Sequence, residues 1–528
     1  MKKLAYTFIA IGILLAVFFF VIDRNDLGAA QLFGIEIGIL LALIGIGFLT
    51  LDSLDSLPRP DLRAAGRWLL SLPPSVWAGA TLLTVYLALF VSPLFFSKPA
   101  INYFVKYIPD AWVTRIGFDV EQTVSHVQAW LAEGVSPYAD GIVPYSPLTL
   151  LVFAPMVVIG YPAYFKLLTL LSVAGYVLAG LLIPLWIQKR KSVVASGRSP
   201  ASEATPSMDG RLLRRDARKS IGAGERPAFG ALRDPRRDTS LILLFFLTGL
   251  VSYGFQFELE RGQFNVIAFA ACLSAIYLFH YHHKFRYFAY LLFSLAVQLK
   301  LYPAIFVVMF VRDWRDWKGN LKRFIGLGLA NFALLFVAGY ELGMQYIHKM
   351  IQRQGGFQSS RVEDLSISGF VYHLTTDGLG LLSSETTARL AQSPGLISTI
   401  LLLAFLACLA FLLYDAWKRN QPGLDLSLLA VCALGALFIP AGSFDYKLPI
   451  LVAPLSLFLS SLAWPASTNK RIVSILLTVI LSLAYWSTLA PFTVKPQGIA
   501  GNFPALYAIL FCVAALHFLT GRKENSLR

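Results

Sequence analysis

Residues 287–311 read YFAYLLFSLAVQLKLYPAIFVVMFV. The run is apolar and long enough to cross a bilayer as a helix. Lys300 and Pro303 interrupt it near the middle, and basic residues flank both ends: Lys284 and Arg286 before it, RDWRDWKGNLKR after it. Cations in short loops favour the cytoplasmic face, so both ends are expected on one side. The stretch is therefore read as a re-entrant pair of half-helices. Irregular backbone at membrane depth is tolerated where it lines a cavity.

The rest of the chain agrees with a membrane setting. It has 528 residues, 56% hydrophobic and only 14% charged, with a mean hydropathy of +0.64. A soluble domain cannot hide that much apolar surface. Lipid satisfies no backbone polar group, so the expected fold is all-α and polytopic. Full spans are expected at roughly 4–22, 30–51, 73–96, 163–187, 240–258, 264–283, 324–343, 396–414, 425–441, 448–466, 472–490 and 504–520, about twelve in all, with re-entrant and juxtamembrane helices besides. The first span follows Lys2 and Lys3 and lacks a small-residue cleavage site, so it reads as a retained anchor. The short run 148–160 reads as half-inserted. If it crossed, loop 188–239 with its KRK, RLLRRDARK and RDPRR clusters would lie outside; that arrangement is the fourteen-span alternative.

With the N-terminus in the cytoplasm, most of the 45 Lys and Arg fall on the cytoplasmic side. The net charge of +15 thus reports topology and not nucleic-acid binding. Residues 1–528 are read as one transmembrane domain. Its loops are 97–147 outside, 188–239 inside and 345–395 outside. Loop 188–239 is rich in Ser, Gly, Pro and Arg, and is expected to be largely disordered beside anionic headgroups. Cys272, Cys408, Cys432 and Cys512 all lie in apolar runs and read as buried hydrophobes. His282 and His283 read as a solvated turn. No metal spacing and no phosphate loop is present, and no cofactor is expected.

The first outer loop carries FDVEQTVSHVQAWLAEGVSPYADGIVPYSP at 118–147. Apolar residues at 120, 124, 127 and 131 mark one face of an amphipathic surface helix. GVSPY ends it, and YSP turns the chain back into the bilayer. Asp119 and Glu121 in the first turn suit the helix dipole, which is reason enough for an acid there.

Three blocks in register resemble family 87 glycosyltransferases, polyprenol-phosphate-sugar-dependent, mannosyltransferase-like enzymes of the GT-C superfamily. They are Asp119 followed by GVSPY and YSP, ERGQFNVIAFAACL at 260–273, and AVQLKLYPAIFVV at 296–308. The resemblance covers roughly residues 110–320. Toward the C-terminus the chain departs from the family's Ser-x-x-(Trp)-x-His-type element and has PAGSFDYKLPIL at 440–451. The resemblance implies a GT-C fold in a bacterial plasma membrane and transfer of a hexose outside the cytoplasm. The donor would be a polyprenyl-phosphate sugar and the acceptor a lipid or glycan. Asp119 would be the general base.

Physical chemistry accommodates that assignment. An inverting displacement needs one carboxylate for the acceptor proton. The phosphate leaving group needs cations, not an acid. Lys300 is a candidate because intramembrane charges are rare, though an ion pair would also explain it. Glu260, Arg261, Gln263 and Asn265 stand at the outer end of a span. Asp445 and Lys447 stand at another, where a snorkelling Lys is the plainer reading. Lys349, Arg353 and Arg361 open the second outer loop, where they either steer an anionic lipid or, the plainer reading, are simply solvated. His126, Tyr138, Tyr145 and Tyr302 complete the expected substrate-binding set. These groups are expected to converge on one pocket open to the outer leaflet and floored by the Lys300 element. A transporter or flippase, or a cell-envelope polysaccharide polymerase or ligase, is the competing class; a transporter should show a second broken segment matching the first.

Overall fold

The computed structural model describes residues 117–139, 143–195, 235–250, 252–356, 364–420, 423–462, 470–489 and 499–526, with Thr7, Ala10, Ile11 and Leu14. The spans expected at 4–22, 30–51 and 73–96 lie outside that set save for those four residues, as do most of loop 188–239 and Arg361. The described chain is helical, and Asp364 and Phe444 form an isolated antiparallel β-bridge.

Among the described residues three helices are long and apolar enough to cross a membrane: Ala163–Arg190, Pro394–Arg419 and Ala500–Thr520. A fourth candidate is a broken one, Tyr253–Arg261 followed by Asn265–Tyr281 with a 110° bend. Pro394–Arg419 shows why such a helix forms. Pro394 sits at its start, Lys418 and Arg419 occupy its last turn, and Asn420 takes the left-handed conformation at φ 43°. Each is a favoured end signal.

Several expected spans are corrected. The 240–258 span is two helices, Pro235–Leu250 and Tyr253–Arg261. Ser252 stands at the break, its Oγ donating to the Gly249 carbonyl and accepting from the Phe255 N–H. The 324–343 span is also broken. Trp317–Leu334 ends in a run of i→i+3 bonds up to Gly339, whose φ of +114° an L side chain rarely adopts, and Tyr340–Gly356 follows. The 448–466 span begins as the 3-10 segment Asp445–Leu451, since Pro449 withholds an N–H, and only Val452–Ser461 is α-helical. The 287–311 run breaks where expected: Arg286–Leu299 is an α-helix, Lys300 is extended, and Tyr302–Met309 is a 3-10 helix.

The chain divides into two compact units. The first holds the described residues up to Val143, with Leu150–Leu170 and Glu260–Gly262. In it the Phe118–Glu133 helix packs on the short Met156–Ile159 helix. The second comprises Pro144–Thr149, Leu171–Leu259 and Gln263–Arg528. Its centre is Leu426–Phe438, in which every residue is buried. Protein surrounds this helix on all sides, so it can be short and evenly apolar. Tyr302–Met309 packs against it, and Asn265–Tyr281 packs along Arg286–Leu299.

Candidate active site

In the first unit, Phe118–Glu133 is the amphipathic helix its spacing predicts, with Val120, Val124 and Val127 buried. Leu131 departs from that face and is exposed, because the helix ends two residues later. Gly134 closes it at φ 71°, and the Val135 N–H reaches back to the Ala129 carbonyl. The helix start is anchored: the Gly117 N–H donates to the Glu260 carbonyl at 2.6 Å.

Beside that anchor, Arg261 Nη2 lies 3.1 Å from Asp119 Oδ1, with side-chain exposures of 7% and 15%. The guanidinium carbon also lies 5.6 Å from the Phe118 ring centroid. Salt bridge and ring together orient the Asp119 carboxylate. Gly262, at φ +67°, lets the chain turn here against Val120 and Phe165. Glu260 is buried in the same unit. His126 lies two turns on from Asp119, and its Nδ1 bonds the Gln122 carbonyl at 2.6 Å. Tyr138 is buried in the turn, its N–H donating to Ser136 Oγ.

In the second unit, Glu258 is fully buried and organises the bend before Asn265–Tyr281. It accepts from the Val266 N–H at 2.8 Å and from Asn265 Nδ2 at 3.1 Å, which caps that helix. The Gln263 N–H closes the turn onto the Glu258 carbonyl. Gln263 Oε1 then accepts from Lys300 Nζ at 2.7 Å. Lys300 also lies 4.6 Å from the Tyr145 ring centroid and 4.4 Å from that of Phe264. The break that frees Lys300 leaves the Gln298 carbonyl without a helical partner. Ser146 Oγ and Thr149 Oγ1 donate to it at 2.8 and 2.6 Å. That is the physical use of the YSP exit.

Tyr302 donates to the Asn265 carbonyl at 2.6 Å, and Lys447 Nζ lies 5.9 Å from the Tyr302 ring centroid. Lys447 also donates to Ser443 Oγ at 3.2 Å. Asp364 Oδ1 fixes the Ser443 N–H at 2.8 Å, and Asp445 is fully buried two residues on. Tyr145, Ser146, Lys300, Tyr302, Tyr346 and Lys447 line one partly open cavity of about 110 Å³. Two ammonium groups in a space of roughly four water volumes suit a small anionic group.

Of the residues expected from sequence, Tyr145, Gln263, Asn265, Lys300, Tyr302, Asp445 and Lys447 thus belong to the second unit. Asp119, His126, Tyr138, Glu260 and Arg261 belong to the first. Glu258, Gln298, Ser146, Thr149, Ser443 and Asp364 were not singled out. Glu258 had a signal, a second acid in the apolar stretch FELERGQFN; the others are ordinary polar residues in sequence.

The sequence model of glycosyltransferase family 87 matches residues 144–440, more than half of the chain. The match includes Tyr145, Glu260, Arg261, Gln263, Asn265, Lys300 and Tyr302; it starts beyond Asp119 and ends before Asp445. No curated protein matches the chain.

Proposed function

The chain belongs to glycosyltransferase family 87 and is a membrane glycosyltransferase, and from that premise we propose that it moves a hexose, mannose-like, from a polyprenyl-phosphate donor to a lipid or glycan acceptor outside the cytoplasm. The observation that carries the donor assignment is the cavity with Lys300 and Lys447. Lys300 is held in place by Gln263 and two aromatic rings. A phosphate departing from a sugar accumulates negative charge, and fixed cations stabilise that charge most when water is scarce.

In this reading the acceptor oxygen attacks the anomeric carbon as the bond from that carbon to the phosphate oxygen breaks. The acceptor proton passes to the Asp119 carboxylate, and the polyprenyl phosphate leaves as an anion. Asp119 suits the role because Arg261 and the first helical turn fix its position. Tyr145 and Tyr302 offer ring faces for the sugar.

The test is transfer from a synthetic polyprenyl-phosphate sugar by purified protein. Asp119→Asn should lower transfer by about 10²–10⁴-fold while donor binding persists, and Lys300→Met should weaken donor binding. Unchanged transfer by Asp119→Asn rejects the base, and unchanged binding by Lys300→Met rejects the phosphate site.

A further inference from the structure

Phe279, fully buried near the end of Asn265–Tyr281, carries three guanidinium groups. The Cζ atoms of Arg312, Arg323 and Arg286 lie 5.1, 5.3 and 5.9 Å from its ring centroid. A ring face attracts cations, but three of them repel one another. Neutral groups hold them together. Arg312 donates to the Phe279 carbonyl and to the His283 ring. Arg286 donates to His283 Nδ1 at 3.2 Å, and Arg323 to the Phe310 carbonyl at 2.7 Å and Asn320 Oδ1 at 2.8 Å.

Acids are present in the segment but serve the backbone. Asp313 accepts from the Arg315 N–H and Asp316 from the Gly319 N–H. Among the described residues no carboxylate pairs with any of the three arginines. Arg286 Nε is buried there without a hydrogen-bond partner. The local field is positive enough that Arg312, with desolvation and Arg286 adding, holds the His283 imidazole below the usual histidine range.

An apolar groove of about 610 Å³ adjoins this cluster, between Arg286–Leu299 and Trp317–Leu334. Arg323 and Tyr290 line it, and it runs past Gly326, Leu327 and Ala330 to Val337. The Tyr290 ring is 5.9 Å from Phe279, so cluster and groove are contiguous. Small residues keep it open: a Cβ at Gly326 would meet nothing within 4 Å. From Arg323 to Leu334 the helix rises roughly 17 Å, close to the depth of one leaflet, about 15 Å of hydrocarbon.

We propose that this is a binding site for one anionic phospholipid, its phosphate on Arg286, Arg312 and Arg323 and one acyl chain in the groove. A phosphodiester supplies the negative charge that the cluster lacks and the geometry that guanidinium forks recognise. The groove supplies the apolar half that a free phosphate would not use. Arg286 and Lys300 stand at opposite ends of one helix, roughly 20 Å apart by its rise, so this is not the Lys300 cavity.

Native mass spectrometry of the purified full chain, taken from nanodiscs of phosphatidylcholine and phosphatidylglycerol, tests it. The wild type should retain one phosphatidylglycerol with about tenfold preference over phosphatidylcholine, and Arg323→Gln and Gly326→Phe should each remove most of that preference. Gly326→Phe fills the groove and leaves the arginines in place, so it decides alone if Arg323→Gln fails to fold. Equal retention of the two lipids by the wild type overturns the proposal, as does undiminished preference in Gly326→Phe. Protection against thermal unfolding by soluble glycerol phosphate equal to that by phosphatidylglycerol also overturns it, because the site would then bind phosphate without a chain.

Discussion

Arg261 pairs with Asp119 across 142 positions of sequence, at 3.1 Å and largely out of solvent. The family resemblance implies Asp119 as the general base, and Arg261 holds its carboxylate in one place. If it is the base, Asp119→Asn should keep the shape of the site and lower transfer by about 10²–10⁴-fold, read as initial rate with synthetic donor. A fall of less than about threefold would return Asp119 to a purely structural role at the helix start.

Arg261→Met leaves the Asp119 carboxylate without this cation in a mostly buried place. Loss of one partner of such a pair costs on the order of 3 kcal/mol. Thermal unfolding in detergent should therefore show Arg261→Met well below wild type, and Arg261→Met with Asp119→Asn partly restored. If the two single changes simply add, the pair contributes no coupling.

Gly262 makes a separable prediction. Its φ of +67° disfavours any L side chain, and a Cβ would run into Val120. Gly262→Ala should destabilise the protein by about 1–3 kcal/mol. Adding Val120→Ala relieves the clash but not the backbone strain, so the double variant should recover only in part. Full recovery would show that φ carries no cost here.

Much of this arrangement was legible in the sequence, for identifiable reasons. The 3–4 spacing of Val120, Val124 and Val127 specified a helix with one buried face, and Lys300 with Pro303 specified a break. Both are local signals. The failures are tertiary. Nothing local to 240–258 says that a Cβ at position 254 would stand 2.9 Å from the Asp445 carbonyl oxygen, so that only Gly254 lets its helix approach there. Nor does 448–466 announce that Pro449 acts in a fully buried 3-10 turn. In the site, charged residues in apolar runs stood out. Ser146 and Thr149 did not, since their task exists only after the Gln298 carbonyl has lost its helical partner.

Glu258 should behave as a cap and not as a reacting group. It satisfies the Val266 N–H and Asn265 Nδ2 together. Glu258→Ala leaves both donors buried and should cost about 1–3 kcal/mol. Glu258→Gln keeps one acceptor and should cost less. Matching losses of stability and activity across the two variants are expected. A Glu258→Gln protein of native stability but without transfer would instead place this carboxyl in the chemistry.

Lys300 and Gln263 give the sharpest test of the phosphate assignment. The amide oxygen of Gln263 accepts from the ammonium at 2.7 Å and, being neutral, positions it without adding a negative charge. Gln263→Glu is nearly isosteric but supplies a carboxylate at that distance. It should keep Lys300 in place and the protein folded, and weaken donor binding about tenfold, which is about 1.4 kcal/mol. Lys300→Met removes the charge itself and should weaken the donor at least as much. The informative comparison is Gln263→Glu with Lys300→Met: once the lysine is gone, the new carboxylate has no ammonium to neutralise, so its added effect should differ from that in the wild-type background. Donor affinity measured by titration of a non-transferable polyprenyl-phosphate sugar reads this directly. If Gln263→Glu binds the donor as tightly as wild type while remaining folded, the Lys300 charge is not what the phosphate meets.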